Sequence, residues 1–222
     1  MRTIGLLGGM TWHSTIEYYR LVNTLANERL GGTHSARCVI ASVDQAAIES
    51  LMEAGRWDDA GGLLAEDAAA LERAGADVFV LACNSLHNAW EAIVSPLSVP
   101  AIHIGDATAD ALPDVKRAAL LGTRYTMEAP FLRERLEARG VEVVVPDEAD
   151  RWEIHRAIFE ELGAGKVREE TRGWFQDLVS RLDAEAVVLA CGELGLLQLD
   201  GPLVDTVRAH AHAAVDYALN DV

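Results

Sequence analysis

Two cysteines in this chain each stand directly after a short apolar run. Residues 78–82 lead to Cys83, and the closely similar residues 186–190 lead to Cys191. Each run has the composition of a buried parallel strand, and open α/β sheets bind ligands at the carboxyl ends of such strands. A thiolate can remove a proton and a thiol can return one. The pair therefore predicts acid–base chemistry on one substrate, with proton removal and return on opposite faces of a carbon atom.

The residues after each thiol suit the first turn of a helix. Asn84 and Ser85 follow the first cysteine, and Gly192 and Glu193 follow the second. Backbone N–H groups at a helix start would hold a carboxylate and favour a thiolate. We therefore expect a small carboxylate-bearing substrate at both strand ends.

Two nearby residues fit structural roles better. The third cysteine, Cys38, lies inside an apolar run with nothing polar after it, so we expect it to fill the core. His87 follows Cys83 by four positions and would share its helical face. It would either assist the thiol or cap and pack, and the structural role is favoured because most lone histidines are structural.

Composition excludes several classes of protein. The chain has 222 residues, with 19 basic and 35 acidic side chains and a formal charge of −16, so phosphate backbones would be repelled and nucleic acid is not an expected partner. No apolar stretch has the length of a membrane span and no leader-like segment is evident, so we expect a cytoplasmic protein with no membrane association. Three cysteines without CxxC spacing predict neither a disulfide framework nor a metal site.

Apolar runs alternate with helical patterns along the whole chain, which predicts an α/β fold with parallel sheets. Strands are predicted at 3–7, 38–42, 77–82, 101–104, 118–121, 142–145, 186–190 and 203–204. Helices are predicted at 14–29, 57–74, 129–139, 152–162, 167–182 and 206–219. The two halves resemble each other, so we expect two pseudo-symmetric lobes, each a four-stranded parallel sheet flanked by helices. The first lobe would comprise 1–104 plus 206–222 and the second 105–205, with the active site in the cleft between them.

The glycine-rich turn after the first strand does not match a dinucleotide fingerprint. Gly5, Gly8 and Gly9 lack the GxGxxG spacing, and no acidic residue stands where a ribose would need it. The turn is better interpreted as one whose N–H groups approach a small anion.

Several ordered motifs resemble the cofactor-independent aspartate/glutamate racemase family, and the resemblance covers the whole chain. They are residues 8–15 (GGMTWHST) with Tyr18-Tyr19, 31–36 (GGTHSA), 83–87 (CNSLH), 122–127 (GTRYTM) and 191–194 (CGEL). The resemblance implies two α/β lobes, amino-acid racemisation without pyridoxal phosphate or any other cofactor or metal, and a homodimer. An amino acid is the implied small-molecule partner.

The resemblance also implies roles for individual residues. Cys83 and Cys191 match the two catalytic cysteines, each removing the α-proton of one enantiomer. The matched substrate-binding positions are Asn84 and Ser85 for the α-carboxylate, Thr126 for a second-lobe hydroxyl, Met10 in the first-lobe turn, and Gly192 and Glu193 after the second cysteine.

The chain departs from the family pattern at two places. Gly192 replaces the usual threonine, which removes a hydroxyl donor. Gln45, after Asp44, stands where some aspartate-specific relatives place an arginine. Lys166 either supplies the side-chain partner or is a solvated loop lysine. Met52 is expected to line the side-chain pocket, where its apolar surface would favour neutral or longer side chains.

The sequence predicts an aspartate/glutamate or broad-specificity amino-acid racemase. Three alternatives stand beside it. The first is a maleate isomerase-like or decarboxylase-like enzyme on the same scaffold, against which the intact cysteine pair argues. The second is a non-catalytic binder of small carboxylates or amino acids. The third is a structural partner protein, which has only the acidic surface in its favour.

Overall fold

The computed structural model describes residues 1–220, which divide into two compact units. The first unit is Met1–His103 together with the segment from His210 onward, and the second is Ile104–Ala209. Within the described residues, no helix is both long enough and apolar enough to span a membrane.

A four-stranded parallel sheet forms the centre of the first unit, in the order β2-β1-β3-β4. The strands are β1 (Ile4–Gly8), β2 (Cys38–Ser42), β3 (Val78–Leu81) and β4 (Ala101–Ile102). The helices between them are α1 (Trp12–Leu30), α2 (Gln45–Glu53), α3 (Trp57–Arg73) and α4 (Trp90–Val94), with a 3-10 helix at Ser85–Ala89.

The apolar composition of β1 and β3 follows from their central position, because every residue of both strands is buried. One core cluster joins alternate residues of these strands to one stripe of α3, at helical spacing. Its members include Leu7, Phe79, Leu81, Leu64, Ala68 and Leu71. Helix α3 therefore packs against this sheet. The turns that follow Gly8 and Leu81 lie at the carboxyl edge of the sheet.

The second unit repeats this arrangement with the strand order β6-β5-β7-β8. Its strands are β5 (Arg117–Gly122), β6 (Glu142–Val144), β7 (Ala186–Ala190) and β8 (Leu203–Asp205). Its helices are α5 (Ile104–Asp110), α6 (Arg124–Met127), α7 (Pro130–Glu137), α8 (Glu148–Glu160) and α9 (Glu169–Arg181), with 3-10 helices at Leu162–Ala164 and Gly192–Leu197. The predicted α/β class, with two four-stranded parallel sheets flanked by helices, is confirmed.

The last helix, α10 (Thr206–Leu219), belongs to both units. Its first turn is capped by Asp205, whose Oδ1 accepts bonds from the N–H groups of Val207 at 2.8 Å and Arg208 at 3.2 Å. Near its end, the Ala218 carbonyl accepts a bond from the N–H of Arg2 at 2.9 Å. The final helix therefore packs against the residues that lead into β1.

Candidate active site

Cys83 lies just past the carboxyl end of β3. The N–H of Ala82 donates to the Leu7 carbonyl at 2.8 Å, and the chain then leaves the strand ladder. Asn84 adopts helical dihedrals, and the 3-10 helix Ser85–Ala89 begins. Cys83 is partly buried, whereas Asn84 and Ser85 are each only 6% exposed. The first thiol therefore sits at the sheet edge where the sequence predicts it.

His87 contacts the backbone of Cys83 directly. Its Nδ1 lies 2.8 Å from the Cys83 carbonyl oxygen, while its own N–H donates to the Asn84 carbonyl at 3.0 Å. In a regular α-helix the N–H of residue 87 would bond to the carbonyl of residue 83. Here the His87 imidazole bonds to the Cys83 carbonyl instead, and the residues after the thiol form a 3-10 helix.

The helix starts expected after both cysteines are short 3-10 helices. They contain five residues after Cys83 and six after Cys191. Such short elements align few peptide dipoles, so the macrodipole expected at these two positions is weak. A carboxylate at these positions would therefore be bound by individual N–H groups and side chains.

The turn after β1 is held by close backbone packing. The N–H of Gly9 donates to Oγ1 of Thr15 at 2.8 Å, and Gly9 has a φ of +103°. Met10 is 9% exposed and belongs to the core cluster described above, against which Cys83 and Met52 also pack. Met10, Met52 and Cys83 therefore border one common cluster within the first unit.

Cys191 follows β7 in an extended conformation, with φ −156° and ψ 129°. Its Sγ donates a hydrogen bond to Oε2 of Glu193 at 2.8 Å, and Glu193 is 6% exposed. A buried carboxylate is thus in direct contact with the second thiol. In this contact the Cys191 thiol is the donor and the Glu193 carboxyl group is the acceptor.

Thr126 lies close to the end of β7. Gly122, the last residue of β5, pairs with Ala190, and a Cβ at Gly122 would lie 3.3 Å from the Thr126 Cβ and 2.9 Å from the Ala190 carbonyl oxygen. Thr126 is fully buried, with its Oγ1 3.3 Å from Oγ1 of Thr123. The glycine lets α6 approach the end of β5, which pairs with the end of β7.

Two other residues singled out by the sequence lie elsewhere. Lys166 is exposed in the turn after Leu162–Ala164, where its N–H donates to the Glu161 carbonyl at 3.2 Å. Cys38 begins β2, and burial raises the pKa of its thiol to about 11. Cys38 is only partly buried and lies on the edge strand of its sheet, so it does not fill the core as expected. Its protonated thiol is nevertheless compatible with a structural role.

The structure adds supporting residues that no motif indicated. Thr206 donates from Oγ1 to the Leu189 carbonyl at 3.0 Å and so fixes the strand that ends at Cys191. His103 and His210 lie against the His87 ring, with centroid distances of 4.6 and 5.9 Å. These contacts join residues far apart in sequence, so only long-range pairing information would have revealed them. Across residues 1–220, no group of three or more His, Cys, Asp and Glu side chains is arranged to hold a metal ion.

Comparison with known proteins shows the family to which this chain belongs. The Asp/Glu/Hydantoin racemase family matches residues 7–214, nearly the whole chain. The chain belongs to the Asp/Glu/Hydantoin racemase family. This confirms the predicted resemblance and the assignment of the protein as an amino-acid racemase, an isomerase.

Individual relatives of this racemase support the same family. The Broad specificity amino-acid racemase RacX of Bacillus subtilis (strain 168) is 28% identical over 168 residues, which cover 71% of this chain and 72% of RacX. A crystal structure of a candidate Asp/Glu racemase from Yersinia pestis is 41% identical, covers 99% of this chain and 100% of its own, and has a TM-score of 0.90. PH1733 of Pyrococcus horikoshii OT3, an aspartate racemase homologue, is 30% identical over 98% of this chain and 99% of its own, with a TM-score of 0.83.

Proposed function

We propose that this racemase moves the α-proton of an amino acid between Cys83 and Cys191. In one direction a thiolate removes the proton and the other residue, as a thiol, returns a proton to the opposite face. In the reverse direction the two cysteines exchange roles. The proton count balances, because each turnover leaves one thiol and one thiolate.

The observation that carries this proposal is the equivalent place of the two thiols in their own units. Cys83 follows β3 and Cys191 follows β7, and each of these strands lies beside the first strand of its own sheet. A core cysteine has no reason to recur at the same strand end. A reaction that needs one acid and one base of the same chemical type provides that reason.

Binding of the α-carboxylate is assigned to the residues after the first thiol. The α-proton of an amino acid is far less acidic than a thiol, so donors must stabilise the carbanion through its carboxylate. Asn84 and Ser85 supply amide, hydroxyl and backbone N–H donors next to Cys83. In the second unit, Thr126 and the backbone N–H groups of Gly192 and Glu193 are the proposed contacts, and Met10 is proposed for the first-unit turn.

The pairing of Cys191 with Glu193 supports a defined starting state. The carboxylate accepts a bond from the thiol, which keeps the proton on Cys191 and makes this residue the acid. Cys83 is then the resting base. When the reverse reaction needs Cys191 as a base, Glu193 accepts the thiol proton and passes it to solvent, while the Cys83 thiolate takes up a proton from solvent and becomes the acid.

We further propose a broad tolerance for the substrate side chain. Asp44 caps α2, with Oδ1 3.2 Å from the Ala46 nitrogen, and is followed by Gln45 rather than by an arginine. Met52 adds apolar surface on α2, and Lys166 is the proposed cation for acidic side chains. RacX, by its name a broad-specificity enzyme, is a relative that supports this assignment.

The decisive experiment uses single-cysteine variants in deuterated water, without added cofactor, on a panel of L- and D-amino acids. Cys83→Ser and Cys191→Ser are each expected to lower racemisation by about 10²–10⁴-fold, because each removes one acid–base group. Each variant should still exchange the α-proton of one enantiomer, and the two variants should act on opposite enantiomers. Cys38→Ser is the matched control and should keep full activity.

The outcomes separate the alternatives. Full racemisation by either Cys83→Ser or Cys191→Ser would refute the two-thiol mechanism, as would exchange of the same enantiomer by both. Inversion restricted to aspartate and glutamate would refute the broad tolerance and leave the mechanism intact. Chiral chromatography measures inversion, and mass spectrometry measures α-deuterium.

The proposed cellular form is a cytoplasmic homodimer that binds neither nucleic acid nor membranes. The absence of a disulfide among the three cysteines suits a reducing compartment. Trp12, Ile16 and Tyr19 expose at least half of their surface along one side of α1, which provides an apolar contact surface. A solution mass of 24.0 kDa, that of one chain, would refute the dimer.

A further inference from the structure

A cluster of aromatic and imidazole rings is buried in the first unit next to the turn that carries Cys83. Its members come from α1, the 3-10 helix, α4, the end of β4 and α10, and none is more than 8% exposed: Tyr18, His87, Trp90, His103 and His210. The proposed reaction uses none of these side chains. Their hydrogen bonds nevertheless lead to the backbone of Cys83.

The tautomers in this cluster follow from the acceptors. A carbonyl oxygen only accepts, so His210 Nε2, 2.8 Å from the Ile102 carbonyl, carries a proton. In the neutral ring Nδ1 then accepts from the Tyr18 hydroxyl, 2.9 Å away. By the same argument His87 carries its proton on Nδ1, which donates to the Cys83 carbonyl at 2.8 Å.

The His87 ring is held in this orientation by its neighbours. It stacks on Trp90 with a centroid distance of 4.9 Å and an interplanar angle of 8°, and the edge of His103 meets it at 4.6 Å. Burial, followed by the nearby His103 and His210, holds the pKa of His87 well below its usual value. The carbonyl groups of Cys83 and Asn84 act in the opposite direction but more weakly. The ring is therefore neutral, with one fixed donor.

This donor controls one peptide plane. In a trans peptide the carbonyl and the following N–H point in opposite directions. His87 holds the Cys83 carbonyl towards the buried ring, so the N–H of Asn84 is directed away from the ring. The same bond fixes the backbone from which the Cys83 side chain projects.

We propose that His87 is a positioning residue for racemisation, which sets the orientation of the Cys83 thiol and of the Asn84 N–H through its bond to the Cys83 carbonyl. The proposal rests on the proposed role of Cys83 as an acid–base group. It assigns His87 no proton transfer, because its fixed donor points at a backbone oxygen. It also explains why a histidine occupies a site that packing alone could fill with an apolar residue.

Three variants test this role. His87→Leu keeps apolar bulk but removes the donor, and is expected to lower kcat by about 10- to 100-fold with a much smaller change in KM. His87→Asn places an amide donor near the position of Nδ1 and should restore much of kcat. Tyr18→Phe removes a hydrogen bond from the same buried cluster without touching Cys83, and should lower stability but keep kcat.

A second readout does not depend on turnover. The rate of Cys83 alkylation by iodoacetamide, followed by peptide mass mapping, should change severalfold in His87→Leu and return towards the wild-type value in His87→Asn. Alkylation of Cys191 in the same samples is the internal reference and should stay constant. Nitrogen-15 NMR of the imidazoles should show His87 protonated on Nδ1 and His210 on Nε2.

The experiments test the positioning role of His87 separately from the proposed acid–base role of Cys83. If Cys83→Ser racemises normally, the two-thiol mechanism is wrong, whereas the alkylation assay still reports on the positioning of Cys83. Wild-type kcat and wild-type Cys83 alkylation in a folded His87→Leu variant would overturn the role of His87. So would a Tyr18→Phe variant that lowers kcat as much as His87→Leu, since the effect would then belong to the whole cluster. If His87→Leu does not fold, low kcat in a folded His87→Asn variant with the Cys83 alkylation rate unchanged would likewise overturn it.

Discussion

The Cys191 thiol and the Glu193 carboxylate lie 2.8 Å apart, and this contact has a consequence for the kinetics of the reaction. Glu193 is predicted to contact substrate, a role that stays a prediction, and in the structure its carboxyl group accepts a bond from the thiol. The two enantiomers of an amino acid have equal free energies in water. A substitution at this pair must therefore change kcat/KM equally in both directions, while kcat alone is allowed to differ between them.

At this residue scale, we predict that Glu193→Gln lowers kcat/KM by about 10–100-fold for both enantiomers, because an amide cannot accept the thiol proton. The larger fall in kcat should occur in the direction in which Cys191 is the base. Progress curves from each pure enantiomer measure both quantities.

The matched control for this substitution lies at the other end of the same strand. Glu185 immediately precedes β7, and its Oε2 accepts a bond from the Lys116 N–H at 2.8 Å. Glu185→Gln should leave kcat/KM unchanged. Equal activity of Glu193→Gln and the wild type would show that the carboxylate takes no part in proton transfer.

Single residues were predictable where a local pattern carried the information. The strand-ending position of Cys83 and Cys191 could be predicted because an apolar run stops at each sulfur. The contact between His87 and the Cys83 backbone is also local, four residues apart. The partners His103 and His210 were not predictable, because their rings meet His87 only once β4 and α10 have packed.

The turn between β1 and α1 has room only for glycine at positions 8 and 9. A Cβ at Gly9 would lie 2.3 Å from the Val43 carbonyl oxygen, and the φ of +103° disfavours any other residue. A Cβ at Gly8 would lie 2.3 Å from Oγ1 of Thr15. This close packing places Met10 immediately after the sheet edge.

We predict that Gly9→Ala lowers the free energy of unfolding by roughly 2–4 kcal/mol, from backbone strain and overpacking together. Gly62→Ala is the matched control, because nothing lies within 4 Å of the added Cβ on α3. That variant should gain about 0.5–1 kcal/mol from its higher helix propensity. Urea denaturation with a common slope measures both, and equal stability of the two variants would contradict the packing argument.

The main strands and long helices could be predicted from the sequence to within a few residues. The predicted strands 38–42 and 186–190 and the helix 206–219 coincide with β2, β7 and α10. The prediction missed α2, α4, α5 and α6, which have nine, five, seven and four residues and are too short to show a helical period. The start of α8 was placed four residues late, because the cap by Asp147, which accepts a bond from the Asp150 N–H at 2.9 Å, precedes the apolar pattern.

At the scale of the whole molecule, stability depends on histidines that are buried without charge. Burial lowers the pKa of His210 to about 4, from 6.5, with the Ile102 carbonyl opposing the shift. The groups that face it are the Tyr18 hydroxyl from α1 and the His87 ring. Between about pH 4 and pH 6.5, His210 therefore binds a proton more readily in the unfolded chain than in the folded chain.

Acidification destabilises the folded chain through His210, because the folded state disfavours the protonated imidazole. The stability associated with neutral His210 is complete above about pH 6.5 and is lost as pH falls towards about 4, on the order of 3 kcal/mol in total. His87, with its lowered pKa, adds to the loss in the same direction. We predict that the urea midpoint falls between about pH 7 and about pH 5.

A variant isolates the contribution of His210. His210→Gln keeps a donor for the Ile102 carbonyl but does not titrate, so its urea midpoint should fall less over the same range. A fall equal to that of the wild type would mean that other groups cause the acid sensitivity. The measurement uses the full chain and needs no substrate.

The repetition of one sheet in both units could be predicted because each half contains its own apolar runs and its own terminal cysteine. The strand orders β2-β1-β3-β4 and β6-β5-β7-β8 agree with that expectation. The roles of Met52 and Lys166 stay predictions. The local sequence of neither residue shows which ligand atoms its side chain would meet.

The discontinuous first unit also affects the order of events during synthesis. The second unit is one continuous segment, Ile104–Ala209, whereas the first needs His210 and the rest of α10. At ribosomal speeds, the stretch between His103 and His210 takes roughly 5–20 s to translate. During that interval the nascent first unit lacks the side chain that binds both Tyr18 and the Ile102 carbonyl. The first unit therefore stays incomplete until the whole of the second unit has been translated, although its first 103 residues are made first.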